Sequence, residues 1–281
     1  MNVNGSPWLA RFAVDVASAS ENDIHSDVTL GGKLLLAREG KLEVCYAPFE
    51  RVGRKARVVL LGVTPGRQQA TNALLEVRRQ LISGADHAAA LAAAKIYGSF
   101  SGPLRNNLVA MLDFIGLNSW LGLQSSATLW QHDKDAVHFT SALRFPVFVG
   151  GQNYSGQPRM TSTPLLTKLL EECLSEEAAA LSHAVWVPLG PQATAAADWL
   201  VERGRLQARM VLRGLPHPSG ANAERIAFFL QRKPREQLSS KTNPATLERT
   251  RSQLLSQVAA LVVSKPQVSE RTMSGPPLAT D

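Results

Sequence analysis

Four short stretches of this chain, at 57–62, 136–142, 184–190 and 208–214, are predominantly apolar and β-rich. A strand with no polar face has no solvent side, so each predicts a strand covered on both faces, as in a parallel sheet. Helical patterns separate them, at 68–82, 103–115, 164–180 and 191–203, and two more, at 222–231 and 244–263, follow. This alternation predicts an α/β fold: a three-layer α/β/α sandwich around a central four-stranded parallel sheet. Ahead of it, Lys33–Arg38 and Lys41–Tyr46 flank the acidic-Gly pair Glu39-Gly40, which predicts a β-hairpin. A short helix over Ser6–Ala17 opens the chain. Residues 1–263 are expected to form a single domain, with the helix and hairpin of 1–56 packed on it. The Pro-, Ser- and Gly-bearing tail 264–281 is expected to be disordered.

Charge is unevenly distributed. Residues 201–281 hold 13 Lys and Arg against 6 Asp and Glu, so the whole net charge of +7 sits there. A second basic knot comprises Arg51, Arg54, Lys55, Arg57 and Arg67. Clustered positive charge attracts polyanions, nucleic acid foremost, although a solvated helical surface gives the same composition. No apolar run reaches a membrane span and the first residues lack a secretory pattern, so a cytoplasmic protein without a membrane partner is expected. Two cysteines, Cys45 and Cys173, are too few for a disulfide framework or a four-thiolate centre. The six histidines show no metal-ligand spacing, so no metal and no cofactor are expected.

In open parallel sheets ligands bind beyond the carboxyl ends of the strands. Two of the predicted strand ends are chemically unusual. The first runs into Gly62-Val63-Thr64-Pro65-Gly66, where two glycines and a proline make a tight turn that a ligand can approach closely. The last runs into Pro216-His217-Pro218-Ser219-Gly220-Ala221-Asn222, a histidine fixed between prolines ahead of a helix. The phosphate-binding G-x-x-x-x-G-K-[ST], the dinucleotide G-x-G-x-x-G and the G-x-S-x-G nucleophile elbow are all absent.

Together, Gly62–Gly66 after the first strand and His217–Gly220 after the last resemble the two signature motifs of the uracil-DNA glycosylase superfamily. The intervening Ser99–Pro103, Phe139–Arg144 and Val185–Gly190 are similar to segments of its iron–sulfur branch, so the resemblance spans roughly the predicted sheet. It implies hydrolysis of the N-glycosidic bond of uracil in DNA, in base excision repair, with the base flipped into a pocket and no strand cleavage. In that role His217 would donate to a uracil oxygen, Phe100 would stack on the base, and Gly62, Val63, Pro65 and Gly66 would line the pocket. The backbone of Pro218, Ser219, Gly220, Ala221 and Asn222, with Arg225 and Arg67, would grip the DNA.

Three positions depart from the family pattern. Val63 and Thr64 stand where relatives carry Glu, Asp or Asn. Thr64 is expected to orient a water without serving as a base, and Gln68 and Gln69 are the nearest other water-holders. Ser141 stands where most relatives have the Asn that reads the uracil edge, and the Gly-rich stretch Val149–Gly156, with Gln152, Asn153 and Tyr154, is a candidate to compensate. Cys45 and Cys173 cannot hold the four-thiolate cluster, so no iron–sulfur cluster is expected. The expected enzyme acts as a monomer on single- or double-stranded DNA containing uracil. The alternative is a catalytically weak or inactive member of the same fold that senses damaged or single-stranded DNA.

Overall fold

The computed structural model describes residues 7–99 and 103–263. The expected hairpin forms from β1 (Leu35–Glu39) and β2 (Leu42–Cys45) across Gly40. β2 also pairs antiparallel with β5 (Val147–Val149), and β5 with β6 (Gln152–Asn153), so the hairpin is half of a four-stranded antiparallel sheet. The stretch expected to be a Gly-rich loop is therefore partly a second hairpin. Gly150 and Gly151 both lie at positive φ, as a two-residue primed turn requires.

The parallel sheet has the order β4-β3-β7, with β3 (Val58–Gly62) between β4 (Val137–Ser141) and β7 (Val185–Pro188). Every residue of β3 and β7 is buried. Val59 and Leu61 face one core, shared with the antiparallel sheet, while Val58 and Leu60 face another. Burial on both faces explains why these strands carry no polar alternation.

The fourth expected strand, 208–214, is not continuous. Ala208–Met210 form a 3-10 turn, and beyond it only Trp186↔Val211 and Leu189↔Leu215 pair, both in parallel. Gly214 sits at φ +96°, and a Cβ there would lie 2.3 Å from Thr250 Cγ2. That bend interrupts the extended backbone between the two pairings.

The helices are α1 (Pro7–Ser18), α2 (Glu21–Ser26), α3 (Arg67–Ile82), α4 (His87–Gly98), α5 (Pro103–Phe114) and α6 (Leu117–Leu121). They continue as α7 (Pro164–Leu169), α8 (Ser175–Ala180), α9 (Pro191–Glu202), α10 (Ala223–Phe229) and α11 (Pro244–Val263). A π-helical turn, Leu170–Leu174, joins α7 to α8 and leaves the expected 164–180 helix unbroken in course. Among the described residues no helix is long and apolar enough to cross a membrane. Phe100 and the tail 264–281 lie outside the described residues.

Candidate functional site

The carboxyl ends of the parallel strands open on a cleft of about 600 Å³. Gly62, Val63, Thr64 and Gly66 line one part of it, and His217, Ser219 and Asn222 another. The two motif loops, remote in sequence, thus share one cavity. The ladder explains why: Gly62 pairs with Ser141 and Leu61 with Pro188, so the strand ends are level, and Leu189↔Leu215 carries the last segment to the same height.

His217 is half-buried and held from three sides. Gly190, at φ +85°, packs so closely that a Cβ there would lie 3.0 Å from His217 Cβ. Asn107 Nδ2 donates to the Pro218 carbonyl at 3.0 Å, anchoring the proline that follows. The Ser219 N–H donates to His217 Nδ1 at 3.3 Å. An Nδ1 that accepts leaves the ring proton on Nε2 in the neutral imidazole. Burial pushes the pKa of His217 below its ordinary 6.5, because desolvation disfavours the imidazolium. The side chain is therefore a neutral, oriented Nε2–H donor.

The first motif differs in detail from expectation. Thr64 Oγ1 donates to the Phe145 carbonyl at 3.0 Å and accepts from the Val147 N–H at 3.1 Å. Its proton is thus committed to backbone, and the side chain ties the motif turn to the segment leading into β5. Val63 is half-buried against the core, and its carbonyl takes the Leu143 N–H at 2.9 Å, extending the β3–β4 ladder into the motif. Gln68, expected beside the water, is exposed and donates to Asn72 Oδ1 at 2.8 Å. Gln69 lines the cleft instead. Its Oε1 accepts the Gly66 N–H at 3.1 Å, capping α3 and turning the amide nitrogen the other way.

Ser141 is half-buried and lines the cleft directly across the ladder from Gly62. Pro65, with Gln69 and Ser141, lines a much smaller cavity of about 10 Å³ next to it. Of the candidates on the second hairpin, Asn153 lines the cleft, with its Oδ1 accepting the Arg67 N–H at 2.9 Å. Tyr154 also lines it, but its hydroxyl donates to the Pro158 carbonyl at 2.6 Å. Gln192, on the first turn of α9, belongs to the cleft wall and was not singled out by the sequence. Its side chain covers Gly156, where a Cβ would come within 2.5 Å of Gln192 Cδ.

The residues expected to hold phosphates are largely engaged within the protein. Arg67 reaches the Gly151 carbonyl at 2.9 Å and stacks its guanidinium over Phe148 at 4.8 Å. Arg225 is exposed, and donates to Asn222 Oδ1 at 2.7 Å and to the Lys241 carbonyl at 3.1 Å. Gly220–Asn222 form a 3-10 turn, so the helix begins at Ala223 rather than Asn222. In that turn Ser219 lines the cleft and Gly220 and Ala221 are exposed. Of the second basic knot, Arg57 donates to the Trp120 and Leu121 carbonyls, whereas Arg51, Arg54 and Lys55 are exposed.

Behind the small cavity lies a buried polar cluster that sequence reasoning missed. Glu177 Oε1 accepts from Arg144 Nε at 2.8 Å, and its Oε2 lies 3.0 Å from His138 Nε2. Lys95 Nζ donates to the Phe49 and Arg51 carbonyls at 2.9 and 2.5 Å. Burial, only partly offset by Glu177 and Glu50, brings the Lys95 pKa down to about 8. The nearest hint was a lone Arg inside an apolar stretch.

No protein-family model and no solved structure matches the chain. It is 35% identical over 231 residues to the uncharacterized protein YoxB of Bacillus subtilis (strain 168), an alignment covering 80% of this chain and 89% of that one. At that identity and coverage the chain belongs to the same protein family as the Bacillus YoxB.

Proposed function

We propose that this protein is a monofunctional DNA repair glycosylase that flips uracil out of DNA and hydrolyses its N-glycosidic bond. The observation that carries the reading is the pairing of His217, a neutral Nε2–H donor, with the Gly62–Gly66 turn in one cleft. In the reaction, water adds to C1′ of the sugar as the C1′–N1 bond breaks. The bonding pair leaves with the base, and the proton released by water neutralises it. His217 Nε2–H donates to a carbonyl oxygen as charge accumulates there, without needing to transfer its proton. A preorganised donor of this kind contributes about 10²–10³ in rate. No residue is assigned as a strong base, since stabilising the leaving base lowers the barrier independently of water activation.

The same reading makes the β4-β3-β7 sheet and the paired 211–215 segment a four-stranded parallel sheet within a three-layer sandwich. It makes the protein a cytoplasmic monomer whose partner is uracil-containing DNA. It also keeps the exposed Arg51, Arg54 and Arg225 as the DNA-facing charges.

One observation favours a second reading, a DNA-binding member of the fold without hydrolysis: the Thr64 hydroxyl donates its hydrogen bond to the Phe145 carbonyl and Val63 is apolar. A single assay separates the two. Incubation with uracil-containing single- and double-stranded oligonucleotides, then hot alkali, breaks the strand at the abasic site if the base has left. Intact strands at stoichiometric protein, with salt-dependent binding retained, would leave the binding reading standing.

A further inference from the structure

The small cavity beside the cleft shares Gln69 and Ser141 with it and is further lined by Arg144 and Thr140. At about 10 Å³ it has space for one water-sized group. On a nucleobase lying in the cleft, that means a single exocyclic atom. The chemistry of the wall determines which atom.

Arg144 is only 6% exposed. Its Nε donates to Glu177 Oε1 at 2.8 Å and its Nη2 to the Cys173 carbonyl at 3.1 Å, with Glu176 Oε2 at 3.6 Å from the same Nη2. Those partners orient the guanidinium plane through Nε and Nη2, and the side chain lines the cavity. Gln69 has its Oε1 occupied by the Gly66 N–H, so it too offers nitrogen. A guanidinium cannot accept a hydrogen bond, and a pinned amide offers only its N–H groups. The Ser141 hydroxyl rotates, and either donates to a carbonyl or accepts from an amino group. It therefore cannot distinguish the two.

We propose that Arg144 is the specificity-determining residue of the glycosylase site, its Nη1 donating, beside the Gln69 amide nitrogen, to one exocyclic carbonyl oxygen of the flipped base. This rests on the glycosylase reading and supplies the base discrimination that Ser141 cannot. Uracil presents an oxygen to the donors. Cytosine presents an amino group at its 4-position, which sets donor against donor and leaves the buried guanidinium unmatched. Sites built around buried polar groups reject the mismatched analogue steeply. The same hydrogen bond strengthens as the base departs with its electron pair, so Arg144 acts at the edge away from the His217 donor.

The test uses the full chain and oligonucleotides carrying uracil or cytosine at one position, with free base measured in single-turnover and steady-state runs. R144Q is combined with E177Q, so that neither member of the Arg144–Glu177 pair is left without the other, and cooperative melting is checked. The expected result is a kcat on uracil lower by about 10²-fold, with KM changed less. The uracil-to-cytosine ratio should also fall, because glutamine can accept from the amino group. R144K, which keeps a donor-only cation, should retain the ratio while losing rate, and gives the answer on its own should the double variant fail to melt cooperatively. Variants that keep both the wild-type kcat and the wild-type ratio overturn this inference alone. A wild-type protein that releases neither base overturns the glycosylase reading, and this inference with it.

Discussion

Replacing Glu177 by Gln tests whether the cluster behind the site is held together by charge or merely by shape. The carboxylate is 0% exposed, and it accepts from Arg144 Nε at 2.8 Å. The Gly53 N–H donates to His138 Nδ1 at 3.3 Å, so the ring proton is on Nε2 and points at Glu177 Oε2 3.0 Å away. Burial, reinforced by Lys95, keeps the His138 pKa down at about 4, so this ring is neutral at pH 7. A glutamine of the same size leaves no void, but its single oxygen can serve only one of the two donors, and its NH2 then opposes the other. Arg144 is left as a buried cation without its buried counter-ion, with only the exposed Glu176 carboxylate 3.6 Å away. Removing one member of such a pair costs about 3–5 kcal/mol. At ~2–4 °C per kcal/mol for a domain of this size, the melting temperature should fall by roughly 6–20 °C at pH 7.5, followed by circular dichroism. Burial alone would raise the Glu177 pKa, yet His138, Arg144 and Lys95 hold it well below the ordinary 4.5. A carboxylate with a depressed folded pKa stabilises fully above its unfolded value and loses that contribution as pH falls towards the folded one. The gap between wild type and E177Q should therefore narrow as the pH falls below about 4.5. A loss under ~2 °C at pH 7.5 would show that Arg144 is not a desolvated cation, and would remove the basis for its orientation in the cavity.

Four further substitutions separate the roles assigned around the cleft. His217→Ala should lower kcat for uracil release by about 10²–10³-fold while the melting temperature holds, read by single-turnover base release. Thr64→Val should cost about 1–3 kcal/mol of stability, because it strands the Phe145 carbonyl and the Val147 N–H. Its rate at a temperature where it is fully folded should stay within a few-fold of wild type, and a large selective loss of kcat would return Thr64 to the chemistry. Gln69→Ala should impair uracil release whereas Gln68→Ala should not, since only Gln69 lines the cleft; equal effects in a side-by-side kinetic comparison would refute that distinction.

The strands around the site were legible because double-sided burial leaves a continuous apolar mark, as at Val58–Gly62. The interruption at Gly214 was not, because a positive φ at a single glycine packed closely on Thr250 leaves no trace in an apolar pattern. Helix α4 leaves no amphipathic mark for a related reason: its Ala-rich first turns have little contrast between faces. The β5–β6 hairpin does carry a sequence signal, the Gly150-Gly151 pair between short apolar and polar runs. Both motif loops were found, yet the choice between Gln68 and Gln69 depends on where α3 begins. With Gly66 as its cap, Gln69 falls on the inward side of the first turn, and single-residue helix boundaries are beyond pattern reading. Arg144 and Glu177 lie 33 residues apart, and their pairing exists only once β4 and α8 have packed.

The interruption of the last strand bears directly on the site. His217 sits two residues beyond the Leu189↔Leu215 pairing, so its height above the sheet is fixed by one ladder contact rather than by a loop. That contact is backed by the Gly190 N–H to Leu215 carbonyl bond at 3.0 Å and, one pairing below, by the Leu212 N–H to Trp186 carbonyl bond at 2.8 Å. Arg213 anchors the span between them through Asp198 at 2.7 Å. On the other wall, Gly62 ends β3 in register with Ser141, and the Val63 carbonyl prolongs that ladder by one more bond. The imidazole and the glycine-proline turn are therefore both held by hydrogen bonds to the same sheet. In the proposed reaction, a donor that meets charge developing on a departing base is effective only if it does not have to move to reach it. Here the backbone ladder supplies that rigidity, which is why short motifs at two strand ends suffice to define the cleft.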